Sequence, residues 1–165
     1  MRRNVKSKNI TAVSQLVGYW GYGCSRKLED LLNQVFPSQV KPGKNEDYLI
    51  WNIAYISENS QQQEEEINQY GISISGIYNY IEAEDKFLPD AWVEVRGKDS
   101  LILGREPFGR VPLYWMQIEQ VIWFASKLQL LLPIVENPQV SIAGLYGYSC
   151  FSYVPTPVTT VENIY

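Results

Sequence analysis

Residues 101–115, LILGREPFGRVPLYW, combine two apolar runs with a cluster of Gly, Pro and charged residues between them. The apolar runs are rich in Leu, Ile, Tyr and Trp, a composition that is typical of buried strands. Gly109 and Pro112 lie between the runs, and both residue types are common in tight turns because of their special backbone angles. The pattern predicts a β-hairpin with strands at 101–104 and 112–116.

Further strand-like segments and one clear helical pattern surround this predicted hairpin. Residues 25–36 carry apolar side chains at helical spacing and predict a helix. Further strands are predicted at 12–23, 48–56, 91–95 and 120–125, and short helices at 127–134 and 141–151. The strands are nearly apolar on both faces, so helices or a second sheet must cover them. The sequence therefore predicts an α+β fold of two stacked, mainly antiparallel sheets flanked by helices.

The composition of this 165-residue chain limits its partners. With 45% hydrophobic residues it can bury a sizeable core, and one domain is the default for this length. The net charge of −4 argues against a nucleic-acid partner, because phosphate binding needs a basic surface. No apolar run is long enough to cross a bilayer, so no membrane partner is expected. Two cysteines do not make a disulfide framework, and we expect a cytoplasmic protein.

The chain contains no histidine, and this removes several kinds of catalysis at once. Hydrolases that use a Ser-His-Asp or Cys-His arrangement are excluded in their usual form. Zinc sites with imidazole ligands are also excluded, and two cysteines cannot make a Cys₄ site. The glycine-rich phosphate-binding motifs of nucleotide-binding proteins are absent. We therefore expect no metal and no cofactor in this chain.

Three ordered segments resemble the N-terminal glutaminase domain of the asparagine synthetase family. The turn within residues 101–115 is similar to the family's Arg-Asp-x-x-Gly-x-x-Pro-Leu-Tyr motif, with Glu106 in place of the Asp. Residues 17–23 resemble the family's opening segment, and 143–165 resemble the segment that leads into its synthetase domain. The matching residues are Arg105, Gly109, Pro112, Leu113 and Tyr114, followed by Phe124, Ala125, Ser126 and Leu128.

The resemblance implies the four-layer α-β-β-α sandwich of the N-terminal-nucleophile hydrolases. We assign the turn residues Arg105, Gly109, Pro112, Leu113 and Tyr114 a structural role, because turn glycines and prolines act mainly through the backbone. The hairpin then identifies a fold rather than a catalytic site.

The family's chemistry requires one residue that supplies both a thiol and a free α-amino group. In that family the nucleophile is an N-terminal cysteine, and its own amine is the base. Aligning Gly18, Gly21 and Tyr22 with the family's opening segment puts Val17 at the nucleophile position. Valine has no nucleophilic atom, and it fits a packed strand better than a reactive cleft, so we expect Val17 to lie near the start of a buried central strand. We therefore assign no catalytic residue and expect no glutaminase activity.

The family's supporting groups are also absent from the aligned positions. The resemblance puts Ile74 at the position of the asparagine that builds the oxyanion hole. It leaves only Lys41 or Lys44 near the position of the arginine that holds the glutamine carboxylate.

Cys24 is a minor alternative nucleophile, because a helix N-terminus lowers the pKa of a thiol. It lacks a base, however. Cys150 lies in an aromatic segment and is expected to be buried and inert. The acidic run Glu64, Glu65 and Glu66 is interpreted as a solvated surface.

We divide the chain into a flexible basic arm at 1–11, an amidotransferase-like domain at 12–135, and a helix and connector at 136–165. The first functional hypothesis is an inactive N-terminal domain with a structural or regulatory role. Its partner would be a C-terminal ATP-dependent synthetase domain of the same, longer protein. The alternative is a stand-alone binding or interaction module on the same fold. A homodimer is left open.

Overall fold

The computed structural model of the chain describes residues 11–23, 25–35, 44–46, 49–57, 69–72, 79–81, 86–88, 90–96 and 100–165. These residues fall into two compact units. The first unit contains the described residues of 11–14 and 56–112, and the second contains those of 15–55 and 113–165. The first residues of strand β1 thus belong to one unit and the rest of that strand to the other.

The described residues form ten strands, three α-helices and one short 3₁₀ helix. The strands are β1 Thr11–Tyr22, β2 Lys44–Glu46, β3 Leu49–Ser57, β4 Gln69–Ile72, β5 Asn79–Ile81, β6 Lys86–Leu88, β7 Ala91–Arg96, β8 Ser100–Arg105, β9 Tyr114–Ile118 and β10 Val121–Ala125. The helices are α1 Ser25–Val35, α2 Leu128–Leu131 and α3 Ile142–Phe151, and the 3₁₀ helix is Leu132–Ile134.

The predicted elements are present, with ends that differ by one or two residues. The expected helix at 25–36 is α1, and the strands expected at 48–56, 91–95, 101–104, 112–116 and 120–125 are β3, β7, β8, β9 and β10. The fold is α+β with mainly antiparallel pairing, as predicted. Its arrangement as a four-layer sandwich stays a prediction.

In the first unit, β7 lies between β4 and β8 and pairs antiparallel with both. The β7–β8 register runs from Ala91 opposite Arg105 to Arg96 opposite Ser100. The first residues of β1 pair in parallel with β4. Strands β5 and β6 form a separate two-stranded sheet.

In the second unit, the strand order is β2-β3-β1-β10-β9. Strand β1 pairs antiparallel with β10, from Val17 opposite Ala125 to Gly21 opposite Val121. One face of this sheet carries the core with α1 and α2. The core side chains are Val17, Tyr19, Leu28, Leu32, Met116, Val121, Trp123, Ala125, Leu131, Ile134 and Ile164.

The predicted hairpin at 101–115 is wrong, although both of its strands exist. Strand β8 pairs with β7, and β9 pairs with β10. The two strands are separated by residues 106–113, and the boundary between the units follows Pro112. Such a segment is far longer than the two-residue loops that join most hairpin strands. The real hairpin is β9–β10, which Glu119 and Gln120 connect in a two-residue loop.

Candidate functional site

Val17, which the resemblance puts at the nucleophile position, lies in the core of the second unit. It is 0% exposed and pairs with Ala125 of β10, which is also fully buried. Tyr19 and Trp123 contact each other in the same core, with ring centroids 5.2 Å apart. The predicted burial of Val17 is confirmed. Its predicted place near the start of a strand is wrong, because six residues of β1 precede it.

The residue before Val17 is held in the sheet by Ser126. The Leu16 N–H donates a hydrogen bond to Ser126 Oγ at 3.1 Å, and the Ser126 N–H donates to the Leu16 carbonyl at 3.0 Å. The Ser126 hydroxyl also lies 3.3 Å from that carbonyl, and both residues are buried. The nitrogen of Val17 is therefore a peptide nitrogen inside a continuous strand.

Gly21, one of the residues that support the alignment of this segment, has a structural function. Gly21 has φ +149°, and a Cβ at this position would overlap the carbonyl oxygen of Gln120. Side chains other than glycine rarely adopt this angle. The Tyr22 N–H then donates to the same Gln120 carbonyl at 3.1 Å. Gly21 thus permits the close approach of β1 to the β9–β10 loop.

The described residues around Val17 offer neither a nucleophile nor a base. Ser126, the polar side chain next to Leu16, is already engaged with the backbone. Across the part of the chain that the structure describes, no cluster of three His, Cys, Asp or Glu residues could hold a metal ion. What the described arrangement provides is packing and backbone hydrogen bonding.

Several other predicted positions lie outside the described residues. Cys24, Lys41 and Ile74 are among them, as are Glu64, Glu65 and Glu66 and most of the arm at 1–11. Thr11 is the first residue of β1, and Lys44 is the first residue of β2. Their proposed roles stay predictions.

The turn after β8 is organised by the Glu106 carboxylate. This carboxylate accepts hydrogen bonds from the N–H of Phe108 at 2.8 Å and from the N–H of Arg110 at 2.7 Å. The Gly109 N–H donates to the Glu106 carbonyl at 3.1 Å, and Gly109 has φ +61°. Glu106 therefore accepts hydrogen bonds from three backbone donors of the turn, two through its carboxylate and one through its carbonyl.

Asp90 connects this turn to the start of β7. Its carboxylate forms an ion pair with the Arg110 guanidinium, and its carbonyl accepts a hydrogen bond from the Glu106 N–H at 2.9 Å. Asp90 is buried, whereas Arg110 is half-exposed. Sequence reasoning missed this pair, since the two residues are twenty positions apart. Only the pairing of Ala91 with Arg105 brings them together.

Cys150 on α3 is exposed, so its predicted burial is wrong. The buried side of this helix consists of Gly144 and Gly147. A Cβ on Gly144 would overlap the Thr159 carbonyl, and a Cβ on Gly147 would overlap the Pro155 ring. The helix therefore packs on the 155–160 segment through its glycines, and its larger side chains face outward. Among the described helices, none is long and apolar enough to cross a membrane.

Part of the chain is similar in sequence to an asparagine synthetase. The matching protein is asparagine synthetase [glutamine-hydrolyzing] 1 of Bacillus subtilis (strain 168), with 31% identity over 67 residues. The match covers 40% of this chain but 11% of that protein. No protein-family model matches the sequence, and no solved structure matches the chain. The similarity suggests a relationship between part of this chain and an asparagine synthetase.

Proposed function

We propose that this chain is the N-terminal amidotransferase-like domain of an asparagine-synthetase-like protein and that it does not hydrolyse glutamine. The observation that carries the proposal is the burial of Val17 within β1, at the position where the resemblance expects the nucleophile. The partial similarity to a glutamine-hydrolysing asparagine synthetase supports the family part of the proposal. The four-layer sandwich of the N-terminal-nucleophile hydrolases is proposed on the same basis.

We expect no glutaminase activity because Val17 lacks the two groups that this chemistry needs. The nucleophile must carry a thiol, and its own free amine must accept the proton. Val17 has no thiol, and its nitrogen is an amide that follows the hydrogen-bonded Leu16. Ile74 in place of an oxyanion donor would remove a further factor of about 10²–10³ in rate. These losses affect one catalytic unit, so restoring a single group is expected to achieve little.

The domain's proposed role is structural or regulatory. Its partner would be an ATP-dependent amide-forming domain of the same protein, and the nitrogen would come from ammonia or a substrate amine. We propose a cytoplasmic location, and no cofactor is assigned to this chain. The net charge of −4 supports a partner other than nucleic acid.

A glutaminase assay on the purified chain tests the proposal. We expect no release of glutamate from glutamine above the rate without protein, and Cys24→Ala should leave that result unchanged. An active glutamine-hydrolysing asparagine synthetase serves as the positive control. Activity in the unmodified chain that Cys24→Ala abolishes would show that the active site has been assigned to the wrong residue.

Two variants test the missing thiol and the missing free amine separately. Val17→Cys in the full chain should stay inactive, because its nitrogen remains an amide. Deleting residues 1–16 as well supplies both the thiol and the free amine. The deletion also removes the hydrogen bonds between Leu16 and Ser126. We expect thiol reactivity without efficient turnover from this variant, since the glutamine-binding groups are still missing.

A stand-alone interaction module is the second candidate function, and the exposed apolar side of α3 favours it. The two candidates differ in what the gene encodes after Tyr165. A downstream Ser-Gly-Gly-x-Asp-Ser segment, the family's pyrophosphate-binding loop, would support the synthetase-associated domain. A gene without such a segment would favour the interaction module.

A further inference from the structure

Among the described residues, α3 contributes no apolar side chain to the core of the second unit. Its buried positions are Gly144 and Gly147, and every other residue of the helix is exposed. The Cβ positions of these two glycines point at the Thr159 carbonyl and the Pro155 ring. The helix is therefore held by its backbone contacts with the 155–160 segment, and the attachment of that segment decides where α3 stays.

The residues on the two sides of α3 pair with each other. The Ser141 N–H donates a hydrogen bond to the Thr160 carbonyl at 3.0 Å, and the Glu162 N–H donates to the Gln139 carbonyl at 2.9 Å. An isolated antiparallel bridge lies between these two hydrogen bonds. We call residues 139–165 the α3 module, because the helix and its two flanking segments are closed on themselves.

The module is attached to the sheet of the second unit at its far end. Ile164 is 1% exposed and belongs to the core, and it is the one fully buried apolar side chain of residues 139–165, all of which the structure describes. Tyr165 exchanges two backbone hydrogen bonds with Trp115 of β9, at 2.8 and 2.9 Å, and the two rings stack with centroids 4.9 Å apart. Two neighbouring residues thus provide most of the attachment.

Thr159 connects this attachment to the helix. Its hydroxyl oxygen lies 2.8 Å from the Ile164 carbonyl and 2.9 Å from the Val161 carbonyl, and it accepts the Val161 N–H at 3.1 Å. The Thr159 carbonyl in turn packs against Gly144 of α3. The anchor and the helix are therefore linked through one buried residue, and we expect them to move together.

We propose that the α3 module detaches from the second unit as one piece while the sheet stays folded. Segments that bury few apolar side chains open at lower free energy than the core does, and this module buries one. Residues 136–138, which precede the module, are all exposed, so they can change direction without disturbing the core. The open form would free the backbone groups of Trp115 on the outer edge of β9, which Tyr165 covers in the closed form.

Hydrogen exchange of single amides in the unmodified chain, followed by NMR, tests this proposal. The amides of Ser141, Leu145 and Glu162 report on the module, because each donates to a backbone carbonyl within it. The Ser126 amide, which donates to the Leu16 carbonyl, reports on the sheet. We expect the three module amides to share one protection factor that is at least about tenfold lower than that of Ser126.

Two isoleucine variants test the anchor. Ile164→Ala removes buried contacts that only the closed form makes, so the module amides should exchange at least about tenfold faster. Ile142→Ala is the matched control, because it makes the same change on α3 at a side chain that is 76% exposed. It should change the exchange rates of the module amides by no more than about threefold.

A core variant outside the module tests whether the module opens independently. Leu32 on α1 is 0% exposed, and its contacts with the remaining core persist when the module opens. Leu32→Ala should therefore accelerate exchange of the Ser126 amide and leave the exchange rates of the module amides unchanged.

The proposal is overturned if the module amides and the Ser126 amide have equal protection in the unmodified chain, or if Leu32→Ala accelerates both groups equally. In either case the module would open only when the whole unit unfolds. It is also overturned if Ile164→Ala accelerates the module amides no more than Ile142→Ala does. None of these outcomes depends on glutaminase activity, so the module and the proposed function fail separately.

Discussion

The turn that follows β8 and the middle of β1 both contribute to the sequence resemblance, but they do so with different kinds of residue. In the turn, the Glu106 carboxylate accepts two backbone hydrogen bonds, and Arg110 pairs with the buried Asp90. In β1, the matched position is Val17, which is packed among apolar side chains. The first region is held by polar side chains, whereas the second has no polar side-chain atom at the aligned position.

We infer from this difference that the residues that shape the backbone and the residues that would carry chemistry are separate. Gly21 and Gly109 have backbone angles that other residues rarely adopt, so they describe the path of the chain. The position that the resemblance aligns with the nucleophile is an ordinary strand position, and the β-branched Val17 packs well in a buried strand. Function has to be argued from the site itself.

The largest expected effect comes from placing a charge at Val17. Val17→Asp should lower the free energy of unfolding by at least about 4 kcal/mol, because an unpaired carboxylate would be buried in an apolar core. Urea denaturation measures this loss. Tyr22→Asp is the control on the same strand, since Tyr22 is exposed, and it should change stability by about 0.5 kcal/mol or less. Equal effects at the two positions would show that Val17 is not a core residue.

A smaller loss is expected from Ser126→Ala. The change leaves the buried Leu16 N–H without its acceptor, which costs about 1–3 kcal/mol. Ser149→Ala is the matched control, because its hydroxyl is exposed and bonds only within α3. Denaturation midpoints at one low protein concentration compare the two. If Ser126→Ala is as stable as Ser149→Ala, the hydrogen bond from the Leu16 N–H to the Ser126 hydroxyl does not stabilise the fold.

The smallest effect is expected in the turn, at Gly109. Its φ of +61° disfavours a side chain, but a Cβ there would lie at ordinary contact distance, 3.5 Å, from the Arg105 guanidinium. Gly109→Ala should therefore cost about 1 kcal/mol from backbone conformation alone. Gly109→Asn should cost less, because asparagine tolerates this conformation. A loss above about 3 kcal/mol for Gly109→Asn would contradict the geometry of the turn.

The sequence predicted the elements better than their connections. Apolar runs bounded by turn residues located β3, β7, β8 and β10 within a residue or two, because strand formation here depends on local pattern. The pairing of β8 with β7 could not be read from the same pattern. The sequence of residues 101–115 indicates two strands. It does not show that the residues between them form hydrogen bonds with Glu106 and Asp90.

Burial was predicted well on strands and poorly on α3. Val17 on β1 and its partner Ala125 on β10 are both fully buried, as the apolar composition of the two strands indicated. On α3 every face is apolar, so composition could not tell which side is covered. The glycine spacing of Gly144 and Gly147 is the signal that could have identified the packed side and left Cys150 outside.

Thiol labelling tests most directly the claim that Val17, which the resemblance aligns with the nucleophile, lies in a closed core. In a Cys24→Ala and Cys150→Ala background, Val17→Cys and Tyr22→Cys place one thiol each on the same strand. We predict that the thiol at 22 reacts with a maleimide at nearly the rate of a free thiol. The thiol at 17 should react at least about a hundredfold more slowly, and only as fast as the folded chain opens. Equal labelling rates in the folded protein would contradict the account, because position 17 would then be an open cleft.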